Sequence, residues 1–297
     1  MQRCRVASDG SKAQPIGPPM PARNAEPAQS ILRDLSARSP VDAPVALVVA
    51  HPDDETIGLG PLLKLLRGAH AIHLTDGAPR DLRSVQAAGF RSSADYAKAR
   101  ARELARVLDL AHVPAARRHT FAIGDQEAFR HLPTIVAALT ALFKSEGVKV
   151  VFTHPYEGGH LDHDACACAV ALACKHMEQG GLRAPVVMEM AFYHESEHGL
   201  VTQRFTEDSE AEVVIAFDQD EALIREEMLA AHASQTAILG LFREHLVRLR
   251  PAPPYDFRRL PNHGHIFYHR FIDDVTPADW IEAVHAAHAW VDSPQAP

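Results

Sequence analysis

The stretch Val45 to Leu59 constrains the fold more than any other part of the chain. It opens with an apolar run rich in valine, Val45 to Ala50, then turns into chemistry: His51, Pro52, Asp53, Asp54 and Glu55. A short continuous apolar run with β-branched residues predicts a strand buried on both faces, as in a parallel sheet with helices on either side. Pro52 lacks an N–H and has a fixed φ, so the strand ends before it. Three carboxylates and an imidazole then stand at the carboxyl end of a buried strand, where open α/β sheets bind their ligands. Burying that much charge needs compensation, and a divalent cation is the simplest source. Capping of the following helix by Asp53 or Asp54 would account for one carboxylate and leave the rest unexplained.

A second stretch of the same kind follows the valine-rich segment Val148 to Thr153. It reads His154-Pro155-Tyr156-Glu157-Gly158-Gly159-His160-Leu161-Asp162-His163-Asp164, with a helix expected over Ala165 to Met177. Parallel strands of one sheet can bring two such ends together however far apart they lie in sequence. Three protein ligands with one open position is the pattern of a catalytic zinc site. His51 and Asp54, three apart on one turn, can face one ion, and His163 supplies a third ligand from the second cluster. Fe²⁺ suits two histidines and a carboxylate as well as Zn²⁺ does. Asp53, beside the ligands, can accept a proton from water. His160, three residues before His163, can donate to a developing oxyanion. By chemistry His154 is an equal candidate for the metal, and Asp162 and Asp164 can serve simply as helix caps. The chain holds 19 histidines, so the signal is the pairing of two clusters at two strand ends, not any single histidine.

Of the 297 residues, 46% are apolar, enough for a large core in one large or two small domains. A net charge of −8 argues against non-specific nucleic-acid binding, which needs a basic footprint. No apolar run is long enough to span a membrane, and no apolar stretch after Arg3 and Arg5 suggests a secretory leader. Of the four cysteines, Cys166, Cys168 and Cys174 crowd one apolar segment. That is no disulfide framework, and a reducing cytoplasm is expected. Residues 1–29, rich in proline, read as a disordered tail, and residues 30–297 as the folded domain. Further helices are expected over 31–38, 57–67, 94–110, 127–145, 220–234, 237–248 and 277–290. Strands are expected over 70–75, 119–123, 184–190, 212–217 and 265–271, with loops at 78–92 and 251–261. Gly58-Leu59-Gly60 is not a dinucleotide-binding turn, because Leu63 stands where the third glycine belongs.

These motifs carry a family likeness. Ala50-His51-Pro52-Asp53-Asp54-Glu55, with Gly159-His160-Leu161-Asp162-His163 downstream, resembles the LmbE-like, PIG-L family of zinc-dependent N-acetylglucosamine deacetylases. Leu74-Thr75-Asp76-Gly77, Arg100-x-x-Glu103 and Ala231-His232-Ala233-Ser234-Gln235 match further, weaker motifs of that family. The resemblance implies a Rossmann-like α/β single domain, with a mostly parallel sheet and helices on both faces. It also implies metal-dependent hydrolysis of an amide in a small N-acylated amino sugar or glycoconjugate. By position it makes His51, Asp54 and His163 the metal ligands and Asp53 the general base. It makes His160 the group that steadies the tetrahedral intermediate, and Arg100 a substrate contact. Ala78-Pro79-Arg80 departs from the polar continuation common after Thr-Asp-Gly, which bears on substrate identity. Two alternatives remain: an amidase acting on a non-sugar or thiol-conjugate amide, and a non-catalytic Rossmann-like binding module. No role is assigned to His232, His263 or His265.

Overall fold

Strand β1 (Val45–Val49) is buried at every position. Its side chains alternate between two cores: Val45, Leu47 and Val49 enter one, Ala46 and Val48 the other. A strand covered on both faces has no place for a polar side chain, so the run carries none. The structure, a computed structural model, describes residues 22–293.

Beside β1 lie β2 (Ala69–Thr75), β3 (Arg118–Ile123), β4 (Val150–Thr153) and β5 (Val186–Met190), all paired in parallel. Two antiparallel strands, β8 (Val213–Ala216) and β9 (Leu246–Pro251), complete a seven-stranded sheet of order β3-β2-β1-β4-β5-β9-β8. A separate hairpin, β6 (Tyr193–Ser196) and β7 (Gly199–Thr202), follows β5.

Helices α1 (Ala22–Ser36), α4 (Ser93–Leu110) and α7 (Gln219–Ala231) cover one face, through Leu35, Val107 and Met228 among others. Helices α5 (Leu132–Ser145), α6 (Leu161–Gln179) and α9 (Pro277–Asp292) cover the other, through Leu139, Ala169 and Val284. Short helices α2 (Asp54–Gly58), α3 (Leu82–Ala87) and α8 (Thr236–Leu239) fill connections. No described helix is long and apolar enough to cross a membrane.

The chain winds outward from β1 to β3, then returns to β4 on the other side of β1. The strand order therefore reverses between β1 and β4, where Leu47 pairs with Phe152. Such a switch point leaves a crevice at the carboxyl ends of the two strands. Both His/Asp clusters begin there.

Several expected elements differ. Helix α1 starts at Ala22, inside the stretch expected to be a disordered tail, and Ala28 is buried in the core with Ile31 and Leu35. An apolar stripe at helical spacing continues upstream of residue 31 and overrides the effect of Pro27. Residues 1–21 lie outside the described residues. The helix expected over 237–248 is instead the single turn α8, a break at Gly240, and strand β9. Val247 and Leu249 face inward at period two, a pattern masked by the leucines before them. Residues 265–271 form a 3₁₀ turn, Phe267–Arg270, with no strand partner. Residues 78–92 contain α3, capped by Asp81 accepting from the Ser84 N–H. The expected helix 57–67 is α2 followed by a 3₁₀ segment through Leu65, separated by Gly60 at φ +51°.

Candidate metal centre at the sheet switch point

The dipeptide Asp53-Asp54 folds tightly after β1. Asp53 has φ 139° and ψ −24°, outside the favoured regions for an L-residue. Such a conformation costs roughly 1–3 kcal/mol and persists only where surrounding contacts dictate it. Those contacts are visible. The Asp53 N–H donates to Glu55 Oε2 (3.0 Å), and its carbonyl accepts from Thr56 and Ile57. Its side chain caps nothing. Asp53 Oδ2 instead meets Arg100 Nη2 at 2.9 Å.

Asp54 turns the other way. Its Oδ2 accepts the His51 N–H (2.7 Å) and lies 3.3 Å from His51 Nδ1 and 3.4 Å from His154 Nε2. Its Oδ1 lies 3.3 Å from His163 Nε2. Burial opposes charge on Asp54, but His163 and His154 outweigh it and hold the carboxyl well below the usual range. On Asp53 burial prevails over Arg100 and, with Asp54 beside it, pushes the pKa up to about 6. Two adjacent carboxylates thus sit in opposed environments.

The second cluster arrives on α6. His160 is its N-cap residue, with Nδ1 accepting the Asp162 N–H at 3.2 Å. His163, one turn into the helix, stacks on His154 at 3.9 Å, while His160 meets His51 edge-on at 4.5 Å. Burial pushes His163 down to about 3 and His160 down to about 4, helped by His154 and His51 respectively. Both are therefore neutral imidazoles at pH 7. Asp164 binds no histidine: its Oδ1 accepts the N–H groups of Glu157 and Gly158 and shapes the loop. Asp162 accepts from the Gln126 and Ala128 N–H groups and lies 3.2 Å from His51 Nε2.

Among the described residues three sets of three could hold a metal ion: His51, His160 and His163; Asp54, His154 and His163; and His51, Asp125 and Asp162. His163 belongs to the first two, and its Nδ1 is buried without a hydrogen-bond partner. His154 fits a cation less well, because its Nε2 lone pair already accepts the Ala50 N–H at 3.0 Å. Imidazole nitrogens beside an ionised carboxylate are a donor set suited to a divalent transition metal. His51, whose ring nitrogens face Asp54, Asp125 and Asp162 and whose pKa these carboxylates raise against burial, would release a proton on joining it.

Arg100, expected as a substrate contact, is buried. Besides Asp53 it donates to the carbonyls of Pro52 and Gly77. A Cβ on Gly77, at φ +60°, would collide with this guanidinium. Glu103 accepts from Ser234 N–H and Oγ, so the two weaker motifs are one junction between α4 and the turn after α7.

Three participants escaped the sequence reading. Glu55 is fully buried; its Oε1 meets His232 Nε2 (2.8 Å) and Thr56 Oγ1, and its Oε2 meets His73 Nε2 (3.0 Å) and the Asp53 N–H. Asp125, after β3, lies 3.1 Å from His51 Nε2. Tyr193, after β5, packs its ring against His163 at 5.4 Å. The only signal for Glu55 and Asp125 was a carboxylate at a strand end; the partners of Glu55 come from β2 and α7. His263 and His265 lie on the exposed turn after the proline-rich loop. Cys166, Cys168 and Cys174 are free thiols on α6.

An α/β sheet with a buried His/Asp cluster at its switch point places residues that could hold a metal ion where such sheets bind their ligands. Residues 46–174 match the model of the PIG-L family, GlcNAc-PI de-N-acetylase. No protein of curated function matches the sequence. Among solved structures, the chain is similar to the A40926 pseudoaglycone deacetylase Dbv21: 14% identity over 73% of this chain and 100% of that one, TM-score 0.54. It is also similar to a deacetylase–teicoplanin complex from teicoplanin biosynthesis: 13% identity, 71% and 100% covered, TM-score 0.52. At such identities the likeness is one of fold.

Proposed function

We propose that this protein is a metal-dependent N-deacetylase that hydrolyses the N-acetyl, or another N-acyl, amide of an amino sugar or glycoconjugate. One observation carries the reading. Asp54 is turned onto the imidazoles of His51, His154 and His163, while its neighbour Asp53 is turned away from them onto Arg100. One carboxylate is placed to bind a cation and the other is left to handle a proton. The deacetylase-family domain over residues 46–174 supports the same reading.

In this reading His51, Asp54 and His163 would hold Zn²⁺, with Fe²⁺ an alternative the same donors accept. Bound there, the cation would supply Lewis acidity. Asp53 takes the proton as water adds to the carbonyl carbon, and returns it to the amine nitrogen as the C–N bond breaks. Arg100, expected to contact substrate, acts here through Asp53: its guanidinium fixes which way that carboxylate points. His160 accepts the Asp162 N–H at Nδ1, so its neutral ring carries the proton on Nε2. That N–H donates to the oxyanion of the tetrahedral intermediate. The free thiols fit a reducing cytoplasm.

The test is metal content together with acetate release from a panel of N-acetylated amino sugars. We expect about one Zn²⁺ or Fe²⁺ per chain, as befits one mononuclear site, and acetate in step with free amine. A metal-loaded protein that releases no acid from any N-acylated amino sugar overturns the reading.

A further inference from the structure

We propose that Phe271 is the platform on which the sugar ring of the substrate stacks, making it a specificity-determining residue outside the family domain. The inference rests on the deacetylase reading and adds to it the part of the substrate recognised.

Among the described residues, Phe271 is the one aromatic side chain among the exposed large hydrophobics, with 47% of its surface open. A single exposed apolar side chain needs no explanation by itself and becomes informative when it sits beside chemistry. Phe271 does: its ring lies 29° from the plane of His160, with centroids 5.9 Å apart. That contact covers the His160 side of the ring, so a ring laid on its open surface is one aromatic layer away from His160.

The backbone carrying Phe271 is held on both sides. Tyr268 and Ile272 are buried, Phe267 N–H donates to Gly158 O at 2.8 Å, and Arg270 pairs with Glu195 of the β6–β7 hairpin. Phe267 meets the Phe271 ring edge-on at 5.7 Å. Gly158, at φ +73°, takes a backbone conformation that residues with a side chain rarely adopt, and a Cβ there would press on Ile266 Cδ1 at 2.9 Å. The aromatic surface is thus fixed before a ligand arrives, which lowers the ordering cost of binding. A pyranose offers an apolar face of C–H groups and a rim of hydroxyls. A flat aromatic surface complements the face, since its negative quadrupole attracts C–H hydrogens. An acyclic amide has no such face to offer.

The experiment compares the metal-loaded protein with Phe271→Ala and Phe271→Trp, on methyl N-acetyl-β-glucosaminide and on N-acetylethanolamine. For Phe271→Ala we expect KM for the glycoside to rise roughly three- to ten-fold, the worth of one aromatic stacking contact. Its kcat should hold, and the preference for glycoside over acyclic amide should fall. Phe271→Trp should restore the preference. Wild-type protein that deacetylates the glycoside, with KM unmoved in Phe271→Ala, overturns the platform and leaves the deacetylase reading standing. So does a change confined to kcat and its pH profile, because Phe271 then only shields His160. A metal-loaded wild type that hydrolyses neither amide overturns both.

Discussion

Two buried carboxylates stand side by side after β1, and their surroundings differ in a telling way. Both oxygens of Glu55 are filled: His232, His73, a hydroxyl and a backbone N–H converge on them. Burial opposes its charge, yet His232 and His73 hold its pKa well below the ordinary value. Asp54 has nearly the same burial, three imidazoles around it and both oxygens engaged. Each cluster leaves a buried histidine nitrogen unpaired, Nδ1 of His232 in the first and Nδ1 of His154 and His163 in the second. What differs is convergence: among the described residues Asp54, His154 and His163 could hold a metal ion together, and no such group includes Glu55. A cluster whose donors are spread around one carboxylate is built for stability, and one whose donors converge can take something further. Asp53 lies between them, its N–H held by the first cluster and its residue number adjoining the second.

The largest effects should come from the open cluster. Asp54→Ala and His163→Ala each delete one of three proposed ligands. We expect metal stoichiometry to fall to near zero by elemental analysis, and activity with it. Full metal content in either variant would move the ligand set toward His154. Asp53→Asn keeps shape and cannot accept a proton, so metal should stay while kcat falls about 10²- to 10⁴-fold. The fall should appear equally in kcat/KM, since the lost interaction belongs to the transition state. Metal loss in Asp53→Asn, with retention in Asp54→Asn, would reverse the two assignments.

The closed cluster should respond in stability. Glu55→Ala leaves His73 and His232 buried without their counterion, a change typically costing about 3–5 kcal/mol. Chemical denaturation measures it, and a loss below about 1 kcal/mol, the range of exposed pairs, would show that Glu55 is not a structural hub. The pH dependence follows from His232. Burial pulls its pKa down, but Glu55 outweighs this and raises it. A raised folded-state value means stabilisation that is complete below the unfolded pKa of about 6.5 and is lost as pH rises through the folded one. The stability gap between the protein and His232→Gln should therefore shrink on going from pH 6 to pH 9.

How legible each cluster was follows from the range of its contacts. The strand-to-His/Asp transitions at His51 and His154 are local in sequence, and β1 and β4 could be read from their valines. So could the parallel sheet with helices on both faces. Glu55 was unreadable as a hub because its partners come from β2 and α7, which only the folded chain brings together. The same holds for Asp125 on His51 and for Arg100, whose guanidinium is turned inward by Asp53 and the Gly77 carbonyl. Strand β9 was lost for a different reason: leucine and phenylalanine at 239–249 satisfy both helical and strand spacing, and only its pairing with β5 and β8 decides.

The smallest expected effect concerns the N-terminus, remote from both clusters. Helix α1 contributes Ala28, Ile31, Leu32 and Leu35 to the same core as Val45 and Leu47. A chain starting at Ala22 keeps the helix whole and should melt where the full chain does. A chain starting at Ile31 keeps three of those side chains but only the last six residues of the helix. So short a helix has little stability of its own and leans wholly on packing. Removing a buried alanine and the preceding turns should cost about 1–2 kcal/mol, which for a domain of this size lowers Tm by only a few degrees. Pro27 limits the loss, since it removes one intrahelical hydrogen bond from the deleted part already. Acetate release and metal content should be the same in both chains at 25 °C. If the chain starting at Ile31 melts with the full chain, the turns before residue 31 add nothing to the core. If instead it loses metal, the N-terminal helix is coupled to the open cluster, and the separation between the stabilising and the functional parts of this sheet fails.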